Sequence, residues 1–402
     1  MNLLAAAGCR AFQTVMKWAI PFLPYREPRI LTSVQDVPTL LREQNISCVL
    51  LVTDPFLHSS GLLEPLKQAL EGASLRYALY DQTSSNPTVS NVEAARELYL
   101  QNGCQGLIGF GGGSAIDCAK AVGARIARPR KSIPQMRGIL RILRPIPYLI
   151  AVPTTAGTGS ETTVATVITD DANGHKFPIS DFPLIPRAAV LDAEITRSLP
   201  AHVTATTGMD ALTHAIEAYI GRSTTRETRA YAIRAATLVA ENLEKSYHDG
   251  NDMVARSNML NAAYLGGSAF SRSYVGYCHA VAHSLGGKYH TPHGLANAVL
   301  LPYVLEAYGS SIYEKGKDIA IAMHLVGPSA DSREATERLI AEIRAMNRRM
   351  NIPEKLEGIR AEDIPQLAAY AAKEANPLYP VPVLMTRKEL EQFYYNVMEA
   401  SV

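Results

Sequence analysis

The chain has 402 residues, 47% of them hydrophobic, and 39 lysines plus arginines against 38 acids leave a formal net charge of +1. A single core stops growing near roughly 250 to 300 residues, so two domains are expected, and the near-neutral balance offers no electrostatic footprint for nucleic acid or an anionic membrane, which favours a small-molecule partner. Five scattered cysteines without C-x-x-C spacing fit a reducing compartment, and no window reaches the roughly twenty uncharged apolar residues of a membrane span, so a cytoplasmic protein is the expectation.

Residues 1–26 form an apolar leader in which Arg10 and Lys17 interrupt the hydrophobic run and no Ala-x-Ala site follows. This predicts an amphipathic helix ending near Pro21 that packs on its own protein or a sister subunit, rather than a secretory signal. From Ser47 to Thr53, SCVLLVT reads as a parallel strand buried on both faces, and Asp54-Pro55 opens a helix. Leu75–Tyr80 is a second strand, Asn86-Pro87-Thr88 a turn, Val92–Asn102 a helix, Gly106–Phe110 a third strand, and a helix begins near Ser114. That alternation predicts an α/β domain with a mostly parallel sheet over residues 27–195.

The loop FGGGSAID between strand and helix suits a phosphate cradle, since glycines let backbone N–H groups approach an anion at a helix N-terminus; a tight turn explains it equally well. It does not meet the G-x-G-x-x-G fingerprint. The basic stretch RPRKSIPQMRGILRILRP (128–145) reads as a solvated face. After the next strand, PTTAGTGSE brings Thr154, Thr155, Thr158, Ser160 and Glu161 together, a run that caps helices or faces a ligand beyond the strand's carboxyl end. Beyond Leu199-Pro200 the texture turns to helical periodicity, giving an all-helical domain over residues 196–402 with an interdomain cleft between the two halves.

In that second half, GMDALTHAIEAY sets Asp210 and His214 four apart on one helix face. GYCHAVAHSLGGKYHTPHGLAN then holds His279, His283, His290 and His293, four of the ten histidines. Three imidazoles and one carboxylate suit a borderline divalent ion such as Fe²⁺ or Zn²⁺ with a position left for substrate.

These motifs resemble the iron-containing alcohol dehydrogenase family. The resemblance rests on Asp210-Ala-Leu-Thr-His214, His279-Ala-Val-Ala-His283 and Thr291-Pro292-His293-Gly294, and it runs from about Ile46 onward. It implies a dehydroquinate synthase-like α/β domain ahead of the helical one, with Asp210, His214, His279 and His293 as metal ligands. By the same resemblance His283 is the non-ligand histidine near the substrate, and His290 falls outside the pattern. His283 could relay a proton, since an imidazole with a pKa near roughly 6.5 exchanges one at working pH, or could support its neighbours.

The resemblance also assigns the dinucleotide loops: Gly112, Gly113, Ser114 and Asp117 at the pyrophosphate, Thr154, Thr155 and Thr158 at the nicotinamide ribose and phosphates, and Asn86 and Lys176 as further contacts. Asp54, in the family's V-T-D position, would hydrogen-bond the adenosine ribose and repel a 2′-phosphate, selecting NAD, while also capping its helix. The implied activity is hydride transfer between an alcohol, aldehyde or ketone and NAD(H), in a homodimer. Rival readings are a dehydroquinate synthase-like lyase, a glycerol dehydrogenase, a hydroxyacid-oxoacid transhydrogenase, and a catalytically dead scaffold. The last would be expected to lose ligands, and all four are present.

Overall fold

All the strands named below lie within Pro24–Leu199, one of two units into which the chain divides; the other comprises Met1–Leu23 with Pro200–Val402. The computed structural model describes residues 3–399 except 173 and 175, so the ends of the first and last predicted segments, 1–2 and 400–402, lie outside the described residues.

In the strand-bearing unit, β1 (Arg29–Leu31), β2 (Cys48–Val52), β3 (Arg76–Tyr80), β4 (Gly106–Gly111), β5 (Gly138–Ile139), β6 (Tyr148–Pro153), β7 (Ala165–Thr169), β8 (Lys176–Ser180) and β9 (Ala188–Val190) make two sheets. The larger has the order β1-β9-β6-β4-β2-β3, every neighbouring pair parallel. Side chains alternate across β2: Cys48, Leu50 and Val52 enter a core shared with Val92 and Ala119, whereas Val49 and Leu51 enter one shared with Leu40 and Leu66. Each side chain so buried contributes about 1.5 to 3 kcal/mol, which is why the strand reads as a continuous apolar run. The smaller sheet, β5-β8-β7, and the three-residue β1 and β9 were not read from sequence, being too short or too mixed to show a period.

From β2 the chain goes outward to β3, then crosses back to β4 on the other side of β2. The carboxyl ends of β2 and β4 therefore flank the topological switch point, where such sheets bind ligands. One boundary differs from expectation: the helix after the Asn86-Pro87-Thr88 turn spans Val89–Gln101 instead of starting at Val92. Thr88 makes it start early, its hydroxyl accepting from Asn91 N at 3.2 Å while Asn91 Oδ1 accepts from Thr88 N at 3.1 Å.

The other unit is helical, as expected. Its Ala201–Ile220 helix is buried on every side from Gly208 onward. A helix enclosed in this way must find partners for its polar side chains, and Asp210, His214 and Glu217 share one face at i, i+4 and i+7. The leader forms a helix, Leu3–Ala19, followed by a short turn of helix at Ile20–Phe22. Arg10 Nη1 and Nη2 donate to Val381 O at 2.7 Å and Pro382 O at 2.9 Å, and Gln13 Nε2 donates to Tyr379 O at 2.7 Å, which ties the helix to its own unit.

Candidate metal centre and dinucleotide loops

The Tyr277–Tyr289 helix begins with no side-chain cap of its own; Glu217 supplies one from the neighbouring helix, accepting from Gly276 N and Cys278 N, each at 2.8 Å. A Cβ on Gly276 would lie 2.6 Å from Glu217 Oε1, so only glycine lets the carboxylate approach. The same carboxylate is 2.6 Å from His279 Nδ1. That bond fixes the ring, with the proton on Nδ1, and leaves the Nε2 lone pair aimed into the cluster. Nε2 is buried without a hydrogen-bond partner among the described residues. Burial, reinforced by His214, His293 and His283, holds the His279 pKa well below its ordinary value, keeping the imidazole neutral. Burial also pushes the Glu217 carboxyl up to about 7, against the pull of its amide donors.

One ligand atom from each of Asp210, His214, His279 and His293 can be chosen so that all lie within 4.8 Å of one another. Metal–ligand bonds near 2.1 Å place donors at most about 4.2 Å apart around one ion, so small side-chain movements would close the set. The neutral ring, the orphaned Nε2 and this donor mix fit a borderline divalent cation. Phe270 stacks on the His214 ring at 4.1 Å between centroids. Asn297 Nδ2 donates to Asp210 Oδ1 at 2.7 Å and lies 3.1 Å from His293 Nε2, bridging two members of the set. Cys278, next to His279 in sequence, turns its thiol to Asn297 O at 3.5 Å, and burial keeps it protonated.

The cluster opens along one side. His279 and Asp210 side chains are 2% exposed, whereas His293 is 36% and His283 35%. His283 stacks on His293 at 5.1 Å, and its Nδ1 lies 2.6 Å from Glu374 Oε1, which also accepts from the Tyr379 hydroxyl at 2.8 Å. Burial pushes the Glu374 carboxyl up, but the His283 charge and hydrogen bond, with the Tyr379 bond, bring it below its ordinary value. His290 is the left-handed C-cap of its helix, apart from the cluster.

In the α/β unit three adjacent strands deliver the predicted cofactor residues to one end of the sheet: Asp54 follows β2, the glycines end β4, and Thr154 follows β6. Asp54 Oδ1 accepts from Leu57 N at 2.9 Å as the helix cap. Gly111, with φ +153, admits no side chain, since a Cβ would sit 2.6 Å from Ala115 Cβ and 3.9 Å from Asp54 Oδ2. Gly112 caps the Gly113–Ala127 helix, a Cβ there lying 3.6 Å from Thr155 Oγ1; one on Gly113 would meet Thr158 at 3.3 Å. Ser114 Oγ donates to Ser85 O at 2.6 Å, joining the glycine loop to the turn that holds Asn86.

Asp117 is half-buried and also has a bracing role. Its Oδ1 accepts from Ser160 Oγ and its Oδ2 from Val167 N, both at 2.9 Å, so it braces the 160–167 segment. Lys120, one turn on and fully buried, donates to Thr163 O at 3.0 Å, Thr163 Oγ1 at 2.7 Å and Ala165 O at 2.9 Å. Burial lowers its pKa to about 8, against the pull of Asp117 and Glu161. Lys176 opens β8 opposite Thr169; burial raises the Asp117 carboxyl above its ordinary value, against the pull of Lys120, of the Val167 and Ser160 bonds and, least, of Lys176.

Residues 31–193 match the family described as iron-containing alcohol dehydrogenase, and residues 204–398 match that family's C-terminal part. Alcohol dehydrogenase 4 of Saccharomyces cerevisiae is 37% identical over 360 residues, covering 89% of this chain and 93% of its own. The chain belongs to the iron-containing alcohol dehydrogenase family. It is also 36% identical over 347 residues to the NAD-dependent methanol dehydrogenase of Bacillus methanolicus, 85% of this chain and 90% of that one. A solved 1,3-propanediol oxidoreductase superposes with a TM-score of 0.89 at 33% identity, covering 93% of this chain and 98% of its own.

For a member of the iron-containing alcohol dehydrogenases, the supporting residues were the ones sequence reasoning missed: Glu217, Asn297, Glu374 and Lys120. Two left a signal. Glu217 continues the Asp210–His214 face by one turn, and Asn297 stands four after His293. Glu374 lies far along the chain from His283, with nothing local to mark it.

Proposed function

We propose that the protein transfers hydride reversibly between a small alcohol, aldehyde or ketone and NAD(H), with Fe²⁺ held by Asp210, His214, His279 and His293; Zn²⁺ suits the same donors. The single observation carrying this reading is His279, whose buried Nε2 has no hydrogen-bond partner among the described residues while Glu217 holds its Nδ1. When bound, the cation supplies Lewis acidity toward an alcohol or carbonyl oxygen, and the nicotinamide accepts or returns the hydride.

The chain's own residues do the rest. Glu217 and Phe270 orient His279 and His214, and Asn297 orients Asp210 and His293. At the exposed edge His283 holds a proton on its ring while Glu374 and Tyr379 fix that ring's direction. Backbone N–H groups of Gly112, Gly113 and Ser114 face the pyrophosphate, Thr154, Thr155 and Thr158 line the same sheet end, and Asn86 and Lys176 add contacts. Asp54 holds the adenosine ribose and disfavours a 2′-phosphate. Asp117, assigned to the cofactor by resemblance, acts by bracing the loop that carries these hydroxyls.

A panel of alcohols and aldehydes with NAD(H), run anaerobically with Fe²⁺ and with Zn²⁺, tests the reading. Stoichiometric cofactor turnover is expected, and product formation without it would point to a lyase. His283→Ala should retain the metal and lose turnover across pH. We further propose a cytoplasmic homodimer that uses the outer face of the Leu3–Ala19 helix, where Val15 is 63% and Trp18 71% exposed. A sedimentation mass of one chain would refute the dimer.

A further inference from the structure

The stretch Arg128–Arg144 holds Arg128, Arg130, Lys131, Arg137, Arg141 and Arg144 without one acidic residue. It is not a loose loop. Ile133, Met136 and Ile142 are fully buried in the core, β5 pairs with β8, and Leu140 N donates to Ser180 O at 2.9 Å. Asp181 Oδ2 accepts from Ile142 N and Leu143 N, both at 2.8 Å, while the carboxylate itself lies inside the fold. Arg128 donates to Ile142 O, and Lys131 Nζ donates to Arg141 O at 3.0 Å, so these cations brace the segment through neutral carbonyls, and neither forms an ion pair among the described residues.

Between the cations, apolar side chains point outward: Ile139 is 46%, Leu140 42% and Leu143 64% exposed. Leu140 and Leu143 also have φ of +55 and +50, a left-handed backbone that disfavours a bulky L-residue. A solvated turn would suit asparagine or glycine there; instead the fold holds strain and presents leucine to solvent. Beside them Arg128, Pro129, Arg130, Lys131 and Arg144 line an open depression of about 490 Å³.

A polyanion would use the cations and not the leucines, and an apolar protein groove would use the leucines and not a uniformly basic surround. A bilayer carrying anionic headgroups uses both. We propose that this ridge docks the protein on a membrane surface rich in anionic phospholipid, the cations gathering headgroup phosphates while Ile139, Leu140 and Leu143 enter between them. The near-zero net charge of the whole chain conceals this local asymmetry.

Co-sedimentation of the full-length, metal-loaded protein with phosphatidylcholine vesicles, with and without phosphatidylserine, tests it. Binding is expected only with phosphatidylserine and should weaken as salt rises. Arg130→Glu with Arg144→Glu should lower partitioning roughly tenfold or more. Leu140→Asn with Leu143→Asn should lower it comparably without lowering the unfolding temperature, because asparagine tolerates the left-handed backbone. Both double variants should keep wild-type turnover. Equal binding to neutral vesicles, or none to either kind, overturns the proposal. Loss in the arginine variant alone assigns the surface to a polyanion such as RNA, and retention by both variants places any binding elsewhere, as on the exposed face of the Leu3–Ala19 helix; either result also overturns it.

Discussion

Both units bury carboxylates, and they put them to different uses. In the helical unit Glu217 accepts two backbone amides and the His279 ring, so one buried acid starts a helix and aims a ligand nitrogen. In the α/β unit the half-buried Asp117 and the buried Lys120 hold the 160–163 loop and the start of β7, while Glu161 Oε1, which is buried, has no hydrogen-bond partner among the described residues. A site made of side chains needs partners that orient each ring, whereas one made of backbone N–H groups and short hydroxyls needs a loop held in shape.

The strongest test of that contrast is His279→Ala, which removes the one nitrogen that Glu217 aims. Turnover should fall roughly a thousandfold or more, since Lewis-acid stabilisation is worth several kcal/mol, while NAD binding by fluorescence titration should stay within a factor of two or so. A parallel loss of both would mean that the two sites are not separately built.

Next in size is Glu161→Gln. Burial raises the Glu161 carboxyl from an ordinary 4.5 to about 7. Between those values the folded chain holds a proton that the unfolded chain has released, so this group makes stability fall as pH rises from 4.5 to 7. Glutamine removes that slope, and the variant should gain up to about 3 kcal/mol over wild type on going from pH 4.5 to 7.5 in denaturant titrations. A constant difference between the two proteins across that range would show that Glu161 is not the source.

Glu217→Gln sharpens the comparison from the other side. The amide can still accept from Nδ1 but brings no charge, and metal affinity by chelator competition should drop about 10- to 100-fold. An unchanged affinity would reduce Glu217 to a helix cap. The mildest change is Asp54→Gly. Stability should fall by a few tenths of a kcal/mol, because glycine caps nearly as well, and the ratio of kcat/KM for NAD over NADP should fall about tenfold. If the ratio holds at its wild-type value, capping Leu57 is all that Asp54 does.

These expectations follow what could be read before the fold was seen. The parallel sheet was legible because β2 is an unbroken apolar run, and the metal cluster because Asp210 and His214 show a helical spacing beside a knot of histidines. Asp117 was read as a cofactor contact from the motif, whereas the bonds its carboxylate makes to Ser160 and Val167 were not legible, because those partners lie more than forty residues on. Glu374 was invisible because its partnership with His283 spans 91 positions and depends on packing that no local period encodes.

The central claim is that Asp210, His214, His279 and His293 together hold one divalent ion, and elemental analysis of anaerobically purified protein tests it most directly. We expect one equivalent per chain in the wild type and in His283→Ala and His290→Ala, and well under a tenth of an equivalent in His279→Ala and His293→Ala after dialysis. A full equivalent retained by both His279→Ala and His293→Ala would contradict the account.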